Sequence, residues 1–162
     1  MWIWRRSFAR PAEPRFEAVD LTDVLAQTVR LVDPTAREAR VAVEMDLPER
    51  AAVAQADPDQ LKQVFLNVMM NAVQAMSDGG RLAVSVAARG DAAGSGWRVA
   101  FSDTGVGIPA AHREKVFDPF FTTKRDGTGL GLSICHSILQ NHGGEIDVES
   151  REGEGTRVEI RL

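Results

Sequence analysis

The chain has 162 residues, 44% of them hydrophobic and 26% charged, and a formal net charge of −4. That length holds one domain with a full core rather than two, and the acidic balance argues against non-specific nucleic-acid binding, which needs a surplus of Lys and Arg along one face. The single cysteine, Cys135, excludes an internal disulfide and a cysteine metal cluster.

Residues 1 to 15 hold Pro11, Pro14 and several basic side chains but no sustained period, and read as a linker. The opening MWIWRRSF is too short and too soon charged for a secretory signal. No apolar run nears the ~20 residues of a membrane helix, so the expectation is a cytoplasmic chain with no membrane contact of its own. From Asp20, a plausible N-cap, Leu21, Val24, Leu25, Val29 and Val32 recur at three-four spacing and predict a helix ending at Pro34. Val41, Val43 and Met45 alternate with Ala42, Glu44 and Asp46, the period of a strand.

The clearest helix is predicted from Pro58 to Met76, with Asp57 as cap. Leu61, Val64, Phe65, Val68, Met69, Ala72, Val73 and Met76 form its buried stripe. Gln60, Gln63, Asn67 and Asn71 share a second face. Asp78-Gly79-Gly80 is read as a turn into a strand carrying Leu82, Val84 and Val86. Ala88 to Gly96 is expected to be a hairpin loop, followed by a strand with Trp97, Val99 and Phe101. A helix from about Leu130 to Asn141 ends at Gly143-Gly144. Two final strands carry Ile146 and Val148, then Val158, Ile160 and Leu162, with charged residues between. The fold class expected is α/β, a two-layer sandwich: a mixed, mostly antiparallel sheet of about five strands covered on one face by about three helices.

Three strings follow one another in the second half: DTGVGI (103–108), FDPFFTTK (117–124) and GTGLGLSI (127–134). Asp103 has the inward parity of Trp97, Val99 and Phe101, so its carboxylate sits at a buried strand end and needs donors. An adenine amine is such a donor, whereas guanine presents a carbonyl there. Gly105 and Gly107 let backbone approach a flat ring. Asn67 and Asn71 lie one turn apart, and an amide oxygen is a hard neutral ligand suited to Mg²⁺. The N–H groups of Gly129, Leu130 and Gly131 open a helix and can face phosphate oxygens. Phe117, Phe120 and Phe121 can anchor a lid, from which Lys124 reaches a phosphate. Thr156 shares the inward parity of Val158 and Ile160.

In this order the strings resemble the asparagine, first glycine, phenylalanine and second glycine boxes of the catalytic ATP-binding domain of sensor histidine kinases, within the wider group of gyrase-type and chaperone ATPases. The likeness spans 16–162 and implies a Bergerat-type fold that binds ATP or ADP with Mg²⁺. Carried over, Asn71 is the metal ligand and Asn67 supports metal or phosphates. Asp103 holds adenine, with Thr156 beside it. Gly105, Gly107, Ile108, Phe117, Lys124, Thr128, Gly129, Leu130, Gly131 and Leu132 complete the pocket and lid. Asn67, Asn71 and Lys124 are the expected catalytic set. SFARPAEPRFEAVDL is similar to the junction leaving the dimerisation helices in the branch that includes nitrogen-regulation kinases.

Two departures stand out. Many members carry a cation where this chain has Gln74, which shifts phosphate neutralisation onto Lys124, Arg125 and the metal. None of His112, His136 and His142 heads a His-Glu pair on a long helix, so each is read as a surface or capping histidine. The resemblance then implies an acceptor histidine on a dimerisation domain outside this sequence, in cis or in trans, and a response-regulator receiver domain as the next partner. Alone, the chain is expected to be monomeric and unable to autophosphorylate. The competing readings are a gyrase- or chaperone-type ATPase, which would place Glu where Asn67 stands; an anti-sigma serine kinase; and a nucleotide-binding interaction module without catalysis.

Overall fold

A computed structural model describes residues 12–91, 94–125, 127, 129 and 131–162. The elements run β1 (Glu17–Asp20), α1 (Leu21–Glu38), β2 (Val41–Asp46), β3 (Val53–Ala56), α2 (Pro58–Gln74), β4 (Gly80–Asp91), β5 (Gly94–Asp103), α3 (Ala110–Arg113), α4 (Gly131–Asn141), β6 (Glu145–Arg151) and β7 (Gly155–Arg161).

Helix α1 begins where Asp20 accepts the Thr22 N–H at 3.0 Å. It does not end at Pro34 but continues to Glu38. Proline removes one helical donor, yet both Pro34 and Arg30, whose carbonyl loses its partner, are exposed, so water can replace the bond. Ala36, 1% exposed, keeps the last turn on the core. Helix α2 starts at Pro58 as expected, with the Asp57 carboxylate accepting from the N–H groups of Asp59 and Gln60, a cap worth ~1 kcal/mol.

The main sheet has the order β2-β4-β5-β7-β6, with β2 parallel to β4 and every other pair antiparallel. Leu82, Val84, Val86, Val99, Phe101, Ile146, Val158 and Ile160 share its buried face beneath the helices. The alternate positions carry ion pairs such as Arg98–Glu159 and Arg161–Glu145, so that face meets water. The sandwich is thus as expected, with α3 as an additional single turn.

One more local reading is corrected, and one element was not foreseen. Ala88 to Gly96 is mostly strand, paired from Ala88↔Trp97 to Asp91↔Gly94. The hairpin projects beyond the core, so neither face carries the apolar alternation that marks a strand. A second, two-stranded sheet, β1 with β3, had no sequence signal because each strand is four residues long. It is tied to the rest by Leu21 N–H to the Ala52 carbonyl and by the Trp97 indole N–H to the Val53 carbonyl.

Where the chain enters, the Arg15 N–H donates to Asp57 Oδ2 and the Gln60 amide to the Ala12 carbonyl. The Phe16 ring meets His142 edge-on at 5.1 Å. His142 Nε2 accepts the Asp57 N–H, so its proton sits on Nδ1, which donates to the Ile138 carbonyl. It therefore closes the end of α4.

At the centre, Phe65 of α2 is fully buried, with its ring 5.8 Å from Phe101 of β5. Phe65→Ala should lower unfolding free energy by about 3–5 kcal/mol in denaturant titration. A loss below ~1 kcal/mol would mean that the helix–sheet seam is not the principal core.

Candidate functional site

Asp103 ends β5 between Leu82 on one neighbouring strand and Thr156 on the other. Its Oδ1 accepts the N–H of Gly105 at 2.8 Å and of Thr156 at 3.2 Å. Oδ2 has no partner among the described residues. Burial pushes the carboxyl above the usual range, and the two N–H bonds offset part of that rise. This is a carboxylate held rigidly by one oxygen while the other offers lone pairs.

The turn after Asp103 is built for close approach. Gly107 has φ 70°, and a Cβ there would strike the Arg151 carbonyl. At Gly105 an added Cβ would lie 2.6 Å from the Ala75 carbonyl oxygen and 2.9 Å from Asp103 Oδ1. A side chain at either glycine displaces this turn. The Ile108 N–H donates to Ser150 Oγ at 2.8 Å, linking the turn to β6.

Across the cleft, α2 presents Asn67, Asn71 and Gln74. The Lys124 ammonium reaches over from the segment before α4 and donates to Asn71 Oδ1 at 3.2 Å and to Gln74 Oε1 at 2.6 Å. Desolvation in the cleft lowers the Lys124 pKa from its ordinary value. Two neutral amide oxygens thus converge on one positive charge, the donor chemistry a hard cation requires. Gly131 opens α4 beside the same amides: a Cβ there would stand 3.9 Å from Asn71 Nδ2 and 4.0 Å from Asn67 Cγ.

These groups enclose a cleft of about 520 Å³, within the ~300–1,000 Å³ of small-molecule sites. Asn67, Asn71, Asp103, Gly107, Ile108, Lys124, Gly129, Gly131, Leu132 and Thr156 all line it. Gly105 stands behind Asp103 and acts through its N–H. Phe117 does not line the cleft; its ring packs against His136 at 5.7 Å and against the core, while Val116 and Phe121 supply that wall. Thr128 and Leu130 lie outside the described residues.

Gln74 and His112 also line the cleft, and Ser150 stands behind it against Ile108 and Thr156; none of the three was assigned to the site from sequence. Ser150 had a usable signal, since it shares the inward parity of Ile146 and Val148. Gln74 was noted only as a missing cation, and its bond to Lys124 depends on a chain reversal that spacing cannot reveal. His112 lines the cleft from the short α3, edge-on to Phe121 at 5.4 Å. Cys135 is fully buried, with its thiol pushed by burial to about 12, which makes it inert at neutral pH.

Chemically, one end of the cleft accepts hydrogen bonds over an apolar floor that includes Phe101 and Val158. The other end gathers amide oxygens, an ammonium and a glycine-bearing helix start. A ligand with an amine on a flat ring at one end and phosphates at the other matches both.

Residues 56–162 match the family model described as "Histidine kinase-, DNA gyrase B-, and HSP90-like ATPase". Sensor histidine kinase ZraS of Escherichia coli (strain K12) is 37% identical over 94% of this chain and 32% of its own length. Sporulation kinase E of Bacillus subtilis (strain 168) is 35% identical over 95% of this chain and 20% of its own. The chain therefore spans a fifth to a third of these relatives. Among solved structures, the nucleotide-free catalytic domain of histidine kinase ThkA superposes with a TM-score of 0.79 at 29% identity, covering 91% of this chain and 95% of that one. ThkA in complex with the response regulator TrrA gives 0.75 at 27% identity, covering 92% and 42%. Full-length ShkA in complex with AMPPNP gives 0.78 at 29%, covering 95% and 32%.

Proposed function

The chain belongs to the histidine kinase-, DNA gyrase B- and HSP90-like ATPase family, and from that membership we propose that it is the ATP-binding kinase domain of a two-component sensor histidine kinase. It takes ATP and presents the γ-phosphoryl group to a histidine on a separate dimerisation domain. The carrying observation is one cleft that sets Asp103, whose Oδ2 has no partner among the described residues, at one end and the Asn71–Lys124–Gln74 cluster at the other.

In this reading Asp103 takes the adenine amine, and Thr156 lies beside it. Asn71, with Asn67 near it, would hold Mg²⁺, which supplies charge neutralisation between phosphate oxygens. Lys124 leaves its amide partners for a phosphate oxygen, where the lid's positive charge does the work that many relatives assign to a cation at the Gln74 position. An imidazole nitrogen of the acceptor attacks the γ-phosphorus, the bond to the bridging oxygen breaks, ADP departs with that electron pair, and the imidazole proton passes to a base on the acceptor domain. The cleft's task is positioning and charge neutralisation, which phosphoryl transfer chiefly needs. Asn67 favours transfer over hydrolysis, because an amide cannot take a proton from water at neutral pH. A response-regulator aspartate then receives the phosphoryl group. The chain acts where ATP is abundant, on the cytoplasmic side.

The test mixes the chain with labelled ATP, Mg²⁺ and a separately made histidine-bearing dimerisation domain from a relative. Acid-labile, base-stable label on that domain is expected, with none on the chain alone. Steady phosphate release without labelled protein would instead indicate an ATPase, and acid-stable phosphoserine on a partner a serine kinase.

A further inference from the structure

Ser150 is 7% exposed, and its Oγ makes three contacts. It lies 2.8 Å from the Ile108 N–H, 2.9 Å from the Gly155 carbonyl and 2.8 Å from Thr156 Oγ1. A serine hydroxyl carries one proton and two lone pairs. The backbone partners have fixed polarity: Ile108 can only donate, and Gly155 can only accept. If all three bonds are made, the Ser150 proton goes to Gly155, one lone pair takes the Ile108 N–H, and the other takes the Thr156 hydroxyl proton. Any other assignment forfeits a bond at a buried group, which is costly.

Thr156 lines the cleft. With its only hydroxyl proton committed to Ser150, it shows the cleft lone pairs and no donor. Its neighbour across the sheet, Asp103, offers Oδ2 of an ionised carboxylate, again an acceptor. The base-facing polar edge is therefore made of acceptors alone.

We infer that Ser150 is a specificity-determining positioning residue: by taking the Thr156 proton, it leaves two adjacent acceptors, Asp103 Oδ2 and Thr156 Oγ1, for the two hydrogens of a purine 6-amino group, whereas a 6-oxo purine brings a single donor, its N1–H. This rests on the nucleotide reading above. Ser150 touches no part of the base; it acts through Thr156 and, by way of Ile108, through the turn against the ring.

The probes are ADP and inosine diphosphate, which differ at position 6, two amine hydrogens against an oxo group, and at N1, a lone pair against an N–H. The unaltered chain should bind ADP at least about tenfold more tightly. In Ser150→Ala the Thr156 hydroxyl is released to donate to a 6-oxo group while Asp103 takes the N1–H, and the ADP-to-inosine-diphosphate preference ratio should fall by about fivefold or more. Ser150→Thr keeps a hydroxyl and should restore the ratio. In a Thr156→Val background, adding Ser150→Ala should leave the ratio unchanged. Equal weakening of both nucleotides by Ser150→Ala, or the same fall in ratio in the Thr156→Val background, would overturn the inference. Should Ser150→Ala not fold, Thr156→Val alone decides, since an unaltered ratio there also overturns it. Failure of the unaltered chain to bind ADP at all would remove the nucleotide reading itself.

Discussion

Asp103→Asn should weaken ADP binding by more than tenfold, beyond ~1.4 kcal/mol, without lowering the melting temperature of the unliganded chain. The two N–H groups of Gly105 and Thr156 both require an acceptor, so an asparagine would turn its oxygen toward them. Its amide nitrogen then points into the cleft and confronts the adenine amine with a donor. The stability half of the prediction follows from the raised pKa of Asp103. A carboxyl whose folded pKa lies above its unfolded value favours the fold while protonated. That contribution is complete below the unfolded pKa and is lost as pH rises through the folded one. At neutral pH the ionised group is thus a cost to the empty fold, and an uncharged amide relieves it. Adenine binding should conversely fade as pH drops through that raised pKa, because the protonated acid loses an acceptor. Calorimetry and thermal melting on the same preparation separate the two effects. Unchanged affinity would take Asp103 out of the site.

Asn71→Ala should abolish the tightening of nucleotide binding by Mg²⁺ and reduce phosphoryl transfer by roughly two orders of magnitude, the usual scale for losing one positioned charge-stabilising group. In the structure its Oδ1 already faces a positive charge, the Lys124 ammonium. Partial desolvation lowers that ammonium's pKa, so exchange for a nearby phosphate is favourable. Without Asn71 the amide pair is reduced to Gln74 Oε1, and a bound Mg²⁺ would keep Asn67 alone of the two asparagines beside phosphate and water. Affinity measured in a chelator should change little, because the base contacts at Asp103 are untouched. Transfer and Mg²⁺-dependent binding that both survive would refute the metal role. A loss of chelator-insensitive affinity would point to damage across the cleft instead.

Part of this cleft was legible in the sequence, from spacing together with the resemblance of the ordered strings. Strand parity, helix period and glycine placement put Asp103, Gly107, Thr156 and the α2 amides forward as candidates, and their roles toward a nucleotide came from the resemblance. The five-strand sandwich was equally readable, because its strands alternate and its long helices carry clean stripes. Departures occur where periodicity is silent. Pro34 lies inside α1, since an exposed carbonyl can lose its partner to water and the buried Ala36 outweighs the break. Residues Ala88 to Asp91 and Gly94 to Gly96 are strand without a core to face. Phe117 belongs to an aromatic-rich string, but a string does not say which ring faces the cleft and which the core. The Lys124–Gln74 contact and the Ser150 network join residues far apart in the chain, and only the folded arrangement reveals them.

In the proposed function one cleft grips an adenine amine and a magnesium-bound polyphosphate together. Titrating the folded chain with ADP in a calorimeter, with and without Mg²⁺, tests it most directly. Saturable heat is expected with one nucleotide per chain, tighter with Mg²⁺, and with at least about tenfold weaker affinity for inosine diphosphate. Absence of heat at millimolar nucleotide, on material whose melting transition shows it to be folded, would contradict it.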